Sequence, residues 1–149
     1  MPEKETLERA AQDRHDGKSA STQVGEFVRE EIDHIREGKH GARSAKQAIA
    51  IGLSKARRAG VKLPPPKAGA SEETKKQAAR DSAKGRSGNQ TVSAKRSRAT
   101  SAALKKEGHS AASHTALSRQ AKASAKKRGA ASRSAAAKKA SRSTRSRAK

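Results

Sequence analysis

The sequence contains no cysteine, tryptophan or tyrosine, and its one large aromatic side chain is Phe27. The absence of cysteine excludes a disulfide framework, a thiol nucleophile and a cysteine-ligated zinc site. A chain with a single aromatic ring also has no set of platforms on which single-stranded bases could stack. No apolar run approaches the roughly 20 residues of a membrane span, and no apolar signal-peptide core follows Met1. We therefore expect a soluble, cytoplasmic protein without a membrane partner.

Large apolar side chains are also scarce, because much of the 31 % hydrophobic fraction is alanine. Burial stabilises a fold by about 25 cal/mol per Å² of apolar surface, and alanine has little such surface to bury. Ordering each residue costs on the order of 1–2 kcal/mol of backbone entropy. This comparison predicts that only a short segment folds and that the rest behaves as a polyelectrolyte.

The net charge of +22 is distributed very unevenly along the chain. Residues 1–66 hold 13 lysines and arginines against 10 acidic residues, whereas residues 67–149 hold 23 against 4. An excess of this size in one half of a chain indicates an anionic polymer as the partner of that half.

Two stretches have the spacing of amphipathic helices. Residues 22–37 place apolar side chains on one face, and Gly38 suits the C-terminal stop. Residues 45–59 begin after a capping box formed by Ser44 and Gln47, and they end before Gly60 with Val61 as a hydrophobic contact. The apolar positions are Val24, Phe27, Val28, Ile32 and Ile35 in the first stretch, and Ala48, Ile49, Gly52, Leu53 and Ala56 in the second.

Three consecutive prolines, Pro64 to Pro66, cannot continue a helix and favour an extended spacer. The predicted organisation is a polar N-terminal arm (1–21), a helical hairpin (22–63), the proline spacer (64–66) and a basic low-complexity tail (67–149). The predicted fold class is mostly α, with a short two-helix hairpin followed by a largely disordered or conditionally helical tail. Segments near 93–107 and 113–128 are the ones expected to become helical on nucleic acid.

The segment from Lys46 to Gly60 resembles a family of small basic bacterial proteins of unassigned function that share the motif K-Q-A-I-A-I-x-L-S-x-A-R. Together with the residues before it, the resemblance covers about residues 24–61, and it implies no known activity. The tail from about residue 93 is similar in composition to the Ala/Lys-rich tails of linker histones and bacterial histone-like proteins. That similarity implies DNA compaction through charge.

No nucleophile, base and orienting group occur in a catalytic pattern, so we expect neither an enzyme nor a cofactor. His34 and His40 flank the hairpin turn and could approach a metal together with Asp33 or Glu37. Solvated histidines beside a turn are commoner, and we expect no metal site. The neighbouring carboxylates Glu30 and Glu31 are interpreted as part of a solvated acidic face.

Dense, accessible cations bind phosphates without a fixed structure, so the tail predicts sequence-independent nucleic-acid binding. We expect a nucleoid-associated, histone-like compaction factor that prefers DNA to RNA. The alternatives are an RNA- or ribosome-associated basic protein, and an adaptor that binds a partner protein through the apolar face of the hairpin. Self-association of the hairpin is a further expectation, because two thin helices bury little. The cations expected to contact phosphates are Lys55, Arg57, Arg58, Lys95, Arg96, Arg98, Lys105, Lys106, Arg119, Lys122, Lys126, Lys127, Arg128, Arg133, Lys138, Lys139, Arg142, Arg145 and Arg147.

Overall fold

The computed structural model describes residues 1–67, 69–88 and 91–147, and the side chains of these residues as far as residue 141. Within those ranges the chain forms seven α-helices and one 3₁₀ turn, and no β-strand. The helices are α1 (Lys4–His15), α2 (Ala20–Arg36), α3 (Ala45–Arg58), α4 (Glu72–Ser87), α5 (Ala94–Lys105), α6 (His114–Lys127) and α7 (Gly129–Arg147), and the 3₁₀ turn is Ser110–Ala112.

The chain divides into two compact units, Met1–Ser113 and His114–Lys149. The first unit holds α1 to α5 and the 3₁₀ turn, and the second holds α6 and α7. In the first unit α2 packs against α1, α3 and the 3₁₀ turn, while α4 packs against α3. Among the helices so described, none is both long and apolar enough to cross a lipid bilayer.

The prediction of a two-helix hairpin with a disordered tail is wrong. Helices are present at both predicted hairpin positions, but the described tail is helical too, from α4 to α7. Alanine is the best helix former, and lysine and arginine rank close behind it, so these segments need little burial to be helical. Local caps add to this: the hydroxyl of Ser71 accepts from the N–H of Thr74 at 3.2 Å, and Gly88 ends α4 in the left-handed conformation. Helix propensity and local caps act without burial, and they account for the helices of the tail.

The N-terminal arm, expected to be disordered, forms α1 and packs on α2. Its buried residues are Thr6, Ala10 and Asp13, whereas the larger Leu7 is 40 % exposed. Polar contacts hold it: the guanidinium of Arg9 donates to Glu26 at 2.6 Å. A search for large apolar side chains misses such a helix, because its packing surface is made of small residues and ion pairs.

The apolar face of α2 is buried inside the chain in two clusters. Phe27 is fully buried and lies with Val24, Ala10 of α1 and Ala56 of α3. The side chains of the second cluster are smaller, and they belong to Ile35, Ala42, Ala48, Ala111 and Ala112. Alanines are four of the five buried residues of the second cluster and two of the four of the first, so the helices lie close together and even small changes in side-chain volume are felt.

Both ends of α3 are capped by the residues that the sequence indicates. The hydroxyl of Ser44 accepts from the backbone N–H of Gln47 at 3.2 Å, and the side-chain oxygen Oε1 of Gln47 accepts from the backbone N–H of Arg43 at 2.8 Å. At the C-terminus Gly60 has a φ of +89°, and the N–H of Val61 donates to the carbonyl of Ala56 at 3.0 Å. The N–H of Gly60 also donates to the carbonyl of Arg57 at 3.0 Å, and the two bonds together form the glycine cap that satisfies the last carbonyls of a helix.

α2 and α3 approach each other closely at Gly52. A Cβ placed on it would lie 2.8 Å from Cα and 2.9 Å from Cγ2 of Val28. Because the nearer of these atoms belongs to the backbone of α2, the clash cannot be relieved by a rotamer change. The spacing of the two helices therefore depends on the missing side chain.

We predict that Gly52→Ala lowers the free energy of unfolding by about 1–3 kcal/mol, because α2 and α3 must move apart to accept the methyl group. Urea denaturation followed by circular dichroism measures this change. The matched control is Gly25→Ala on α2, where a Cβ meets nothing within 4 Å. That control is expected to stabilise the fold by up to about 1 kcal/mol, since alanine is the better helix former. Equal effects of the two substitutions would contradict the close approach.

Candidate functional site

A buried ionic cluster joins α2 to α3. The ammonium of Lys55 lies 2.7 Å from Oε1 of Glu30 and 2.8 Å from Oε2 of Glu31. Glu30 and Glu31 are only 4 % and 1 % exposed. The interpretation of these two carboxylates as a solvated acidic face is therefore wrong: they point into the fold, where a single lysine serves both.

The protonation states of Glu30 and Lys55 follow from these contacts. Burial raises the pKa of Glu30, but hydrogen bonds from Lys55, the N–H of Glu3 and Thr6 lower it by more, so the net pKa lies below its usual value. Burial likewise lowers the pKa of Lys55, and its contacts with Glu30 and Glu31 outweigh this and raise it. Both groups are therefore charged at neutral pH, and α1 joins the cluster through the 3.0 Å bond from the N–H of Glu3.

Two histidines lie on the other side of Glu31. Nε2 of His40 is 3.2 Å from Oε1 of Glu31, and the rings of His34 and His40 meet edge to face with centroids 6.0 Å apart. One ligand atom from each of these three residues lies within 4.8 Å of the others. The two acids that the sequence suggested beside these histidines have other partners, Asp33 near Arg29 and Arg36, and Glu37 near Lys39.

The three cations of α3 that were expected to contact phosphates have partners in the chain itself. Lys55 belongs to the buried cluster, and Nε of Arg58 lies 2.7 Å from Oδ1 of Asp81, a residue that is 2 % exposed. The guanidinium of Arg57 donates to the carbonyl of Pro64 at 3.4 Å. The charges of Lys55 and Arg58 are thus matched by carboxylates of α2 and α4.

The predicted cations beyond α4 have a different environment, because their side chains are exposed wherever the structure describes them. None of the lysines and arginines from residue 76 to residue 141 forms an ion pair with a described residue. Glu107 is the one acidic residue after Asp81, and it lies 3.3 Å from Arg43. The side chains of Arg142, Arg145 and Arg147 lie outside the described part.

The described cations are distributed over three helices and the residues beside them: Lys95, Arg96, Arg98 and Lys105 on α5; Lys106 directly after α5; Arg119, Lys122, Lys126 and Lys127 on α6; Arg128 between α6 and α7; Arg133, Lys138 and Lys139 on α7. Arg119, Lys122 and Lys126 are spaced by three and four residues, which puts them on one face of α6.

A further basic face was missed by the sequence reasoning. Lys76, Arg80 and Lys84 follow one another at intervals of four residues on α4, and all three side chains are exposed. They share one face, while Ala78 and Asp81 are buried. The interval of four was visible in the sequence, but a segment expected to be disordered gave no reason to look for a helical face.

We predict that Lys55→Met lowers the free energy of unfolding by about 3–5 kcal/mol, because Glu30 and Glu31 are left buried without their cation. Urea denaturation measures the change, and Lys46→Met is the control because Lys46 is an exposed residue of the same helix. If both substitutions shift the unfolding midpoint equally, the ionic cluster does not stabilise the packing of α2 on α3.

Comparison with known proteins adds a family match for part of the chain. The model of a family described as "Family of unknown function (DUF6496)" matches residues 14–67. The matched region contains α2 and α3 with the buried ionic cluster, and it stops before α4. No curated protein and no solved structure matches the chain. The match is consistent with the resemblance to a family without an assigned function.

Proposed function

We propose that this protein is a non-enzymatic binder of nucleic-acid duplexes that contacts the phosphate backbone without sequence specificity. The exposed cations of α4 and α5 in the first unit, and those of α6 and α7 in the second unit, contact the phosphates. This mechanism replaces the disordered tail expected from the sequence with basic helices. Compaction of DNA in a nucleoid is the cellular role that such binding would serve.

The observation that carries the proposal is the separation of paired from unpaired charge. In residues 1–66 most charged side chains lie near a partner of opposite sign, as Arg9 does with Glu26 and Lys18 with Asp13. From residue 76 to residue 141 the cations have no such partner among the described residues. Neutralisation of these cations must come from outside the chain, and release of counterions from a polyanion is its usual driving force.

Duplex binding is favoured over single-strand binding by the position of the aromatic ring. Phe27 is the sole large aromatic residue of the sequence, and it is completely buried between α1, α2 and α3. Readout of single strands generally uses exposed aromatic rings on which bases stack. Without such a ring, the exposed lysines and arginines offer contacts to phosphates and sugars, which fix position but carry no sequence information.

The adaptor alternative depended on the face formed by Val24, Phe27, Ile32 and Ile35. Val24 is 7 % exposed, and Phe27 and Ile35 are fully buried. α1, α3 and the 3₁₀ turn pack against α2. This face is therefore used within the chain, and we do not propose it for a partner protein or for a second copy. RNA duplexes remain the alternative ligand. The ratio of the affinities for a DNA duplex and an RNA duplex of the same sequence distinguishes the two.

We predict that the triple variant Arg119→Gln, Lys122→Gln and Lys126→Gln binds duplex DNA with a weaker salt dependence than the native chain. Each phosphate that the variant no longer neutralises should reduce the slope of log K against log salt by about 0.9 on B-DNA. Fluorescence anisotropy with a random-sequence DNA duplex and with an RNA duplex of the same sequence, over a salt series, measures both slopes and the DNA preference.

The control variant removes the same number of positive charges from the paired region, by Lys4→Gln, Arg29→Gln and Lys39→Gln. These cations are exposed and lie 3.7, 3.9 and 3.1 Å from carboxylates of Glu8, Asp33 and Glu3. The control should keep the native slope. Equal slopes for both variants would show that total charge, and not the face of α6, determines binding. Absence of binding at low salt would refute the proposed function.

A further inference from the structure

The interface proposed above for nucleic acid does not include the histidine side of the buried ionic cluster. We propose that Glu31, His34 and His40 bind a divalent transition-metal ion, and that Zn²⁺ is the ion they fit best. The proposal is independent of the proposed function. It also departs from the expectation, from the sequence, that the histidines beside the turn are merely solvated.

His40 supports the proposal through its tautomer. Its Nδ1 lies 3.1 Å from the carbonyl oxygen of Gly41, and a carbonyl can only accept, so Nδ1 carries the hydrogen. In a neutral ring the lone pair is then on Nε2, which faces Oε1 of Glu31 at 3.2 Å. This 3.2 Å approach needs a positive charge between the two atoms, and either a proton on Nε2 or a metal ion supplies it. A backbone carbonyl on the second ring nitrogen is also the usual orienting contact of a metal-bound histidine.

Glu31 is the second, independent observation. The residue is 1 % exposed, and the contacts of its two carboxylate oxygens are the ion pair of Oε2 with Lys55 and the approach of His40 to Oε1, neither of which has the geometry of a good hydrogen bond. The ammonium of Lys55 is 2.8 Å from Oε2, a close ion pair, but it is also shared with Glu30. One ammonium opposite two buried carboxylates leaves a negative charge, and Oε1 is directed at the histidines. Buried polar oxygens in this state are rare in native folds.

His34 completes the set of ligands, one turn after Glu31 on the same helix. Its side chain is 14 % exposed, and the side chain of His40 is 16 % exposed, so an ion can enter from solvent. Nε2 of His34 lies 2.7 Å from Oε1 of Glu3, which is also 3.1 Å from Nζ of Lys39. A carboxylate that accepts from one ring nitrogen orients the imidazole, as neighbouring carboxylates do at known metal sites.

The donor set selects the class of ion. Two imidazoles and one carboxylate suit Zn²⁺, Ni²⁺ and Cu²⁺, whereas Mg²⁺ and Ca²⁺ prefer oxygen ligands alone. Three protein ligands of this kind, with a further position for water, are a common arrangement for Zn²⁺. Because the ligands come from α2 and from the turn before α3, a bound ion would connect the end of one helix to the start of the next.

The test is isothermal titration calorimetry of Zn²⁺ into the full chain after removal of metals with a chelator. We expect one Zn²⁺ per chain, and at least a tenfold loss of affinity in Glu31→Gln and in His40→Gln. Zn²⁺ at about 100 times its dissociation constant should also raise the thermal unfolding midpoint of the native chain by roughly 5–10 °C. The same Zn²⁺ concentration should raise the unfolding midpoint of either variant by at most about half as much.

The matched controls are His15→Gln and His114→Gln, which remove histidines outside the cluster and should keep the native affinity. Circular dichroism of the metal-free variants shows whether they fold. If Glu31→Gln or His40→Gln does not fold, the test is X-ray absorption at the zinc edge of the native complex. This measurement counts the imidazole ligands of the bound Zn²⁺, and the proposed site requires two. No binding at millimolar Zn²⁺, an affinity loss in the controls equal to that in the variants, or a different imidazole count would overturn the proposal.

Discussion

The contact of one ammonium with two buried carboxylates is the constraint on which the folded part of this chain depends. Lys55 comes from α3, Glu30 and Glu31 come from α2, and the N–H of Glu3 connects the start of α1 to Glu30. Buried ions are costly to desolvate, and such pairs are better known for fixing a particular arrangement than for adding stability. Here the core around them is mostly alanine, and the ions add to its close packing a point at which α1, α2 and α3 meet.

The same use of charge explains why the net charge is so uneven. In the first 66 residues the acidic side chains lie close to the cations of their own region, and the one carboxylate of α4 that is buried, Asp81, pairs with Arg58. Hardly any acidic residues are left for the helices that follow. Their lysines and arginines repel one another, and this repulsion weakens when salt or a polyanion screens it. High helix propensity lets these segments keep their secondary structure in spite of it.

The sequence predicted some elements well and others poorly for identifiable reasons. Apolar spacing and caps located α2 and α3, because both signals depend on neighbours along the chain. α1 was missed because its buried face is small and polar. The role of Glu31 was missed although its position was informative: it follows Phe27 by four residues and precedes Ile35 by four, so it lies on the buried stripe of α2. Its partner Lys55 lies on another helix, and no local pattern connects the two.

The turn between α2 and α3 brings these features together. It carries His40, whose Nε2 faces the buried Glu31, and its backbone binds a distant part of the chain. The N–H groups of Gly41 and Ala42 donate to the carbonyls of Leu104 and Gly108 at 2.9 and 3.0 Å. Those carbonyls belong to the end of α5 and to the segment that leads from it to α6. This turn therefore contacts two places at once, the ionic cluster and the segment that follows α5.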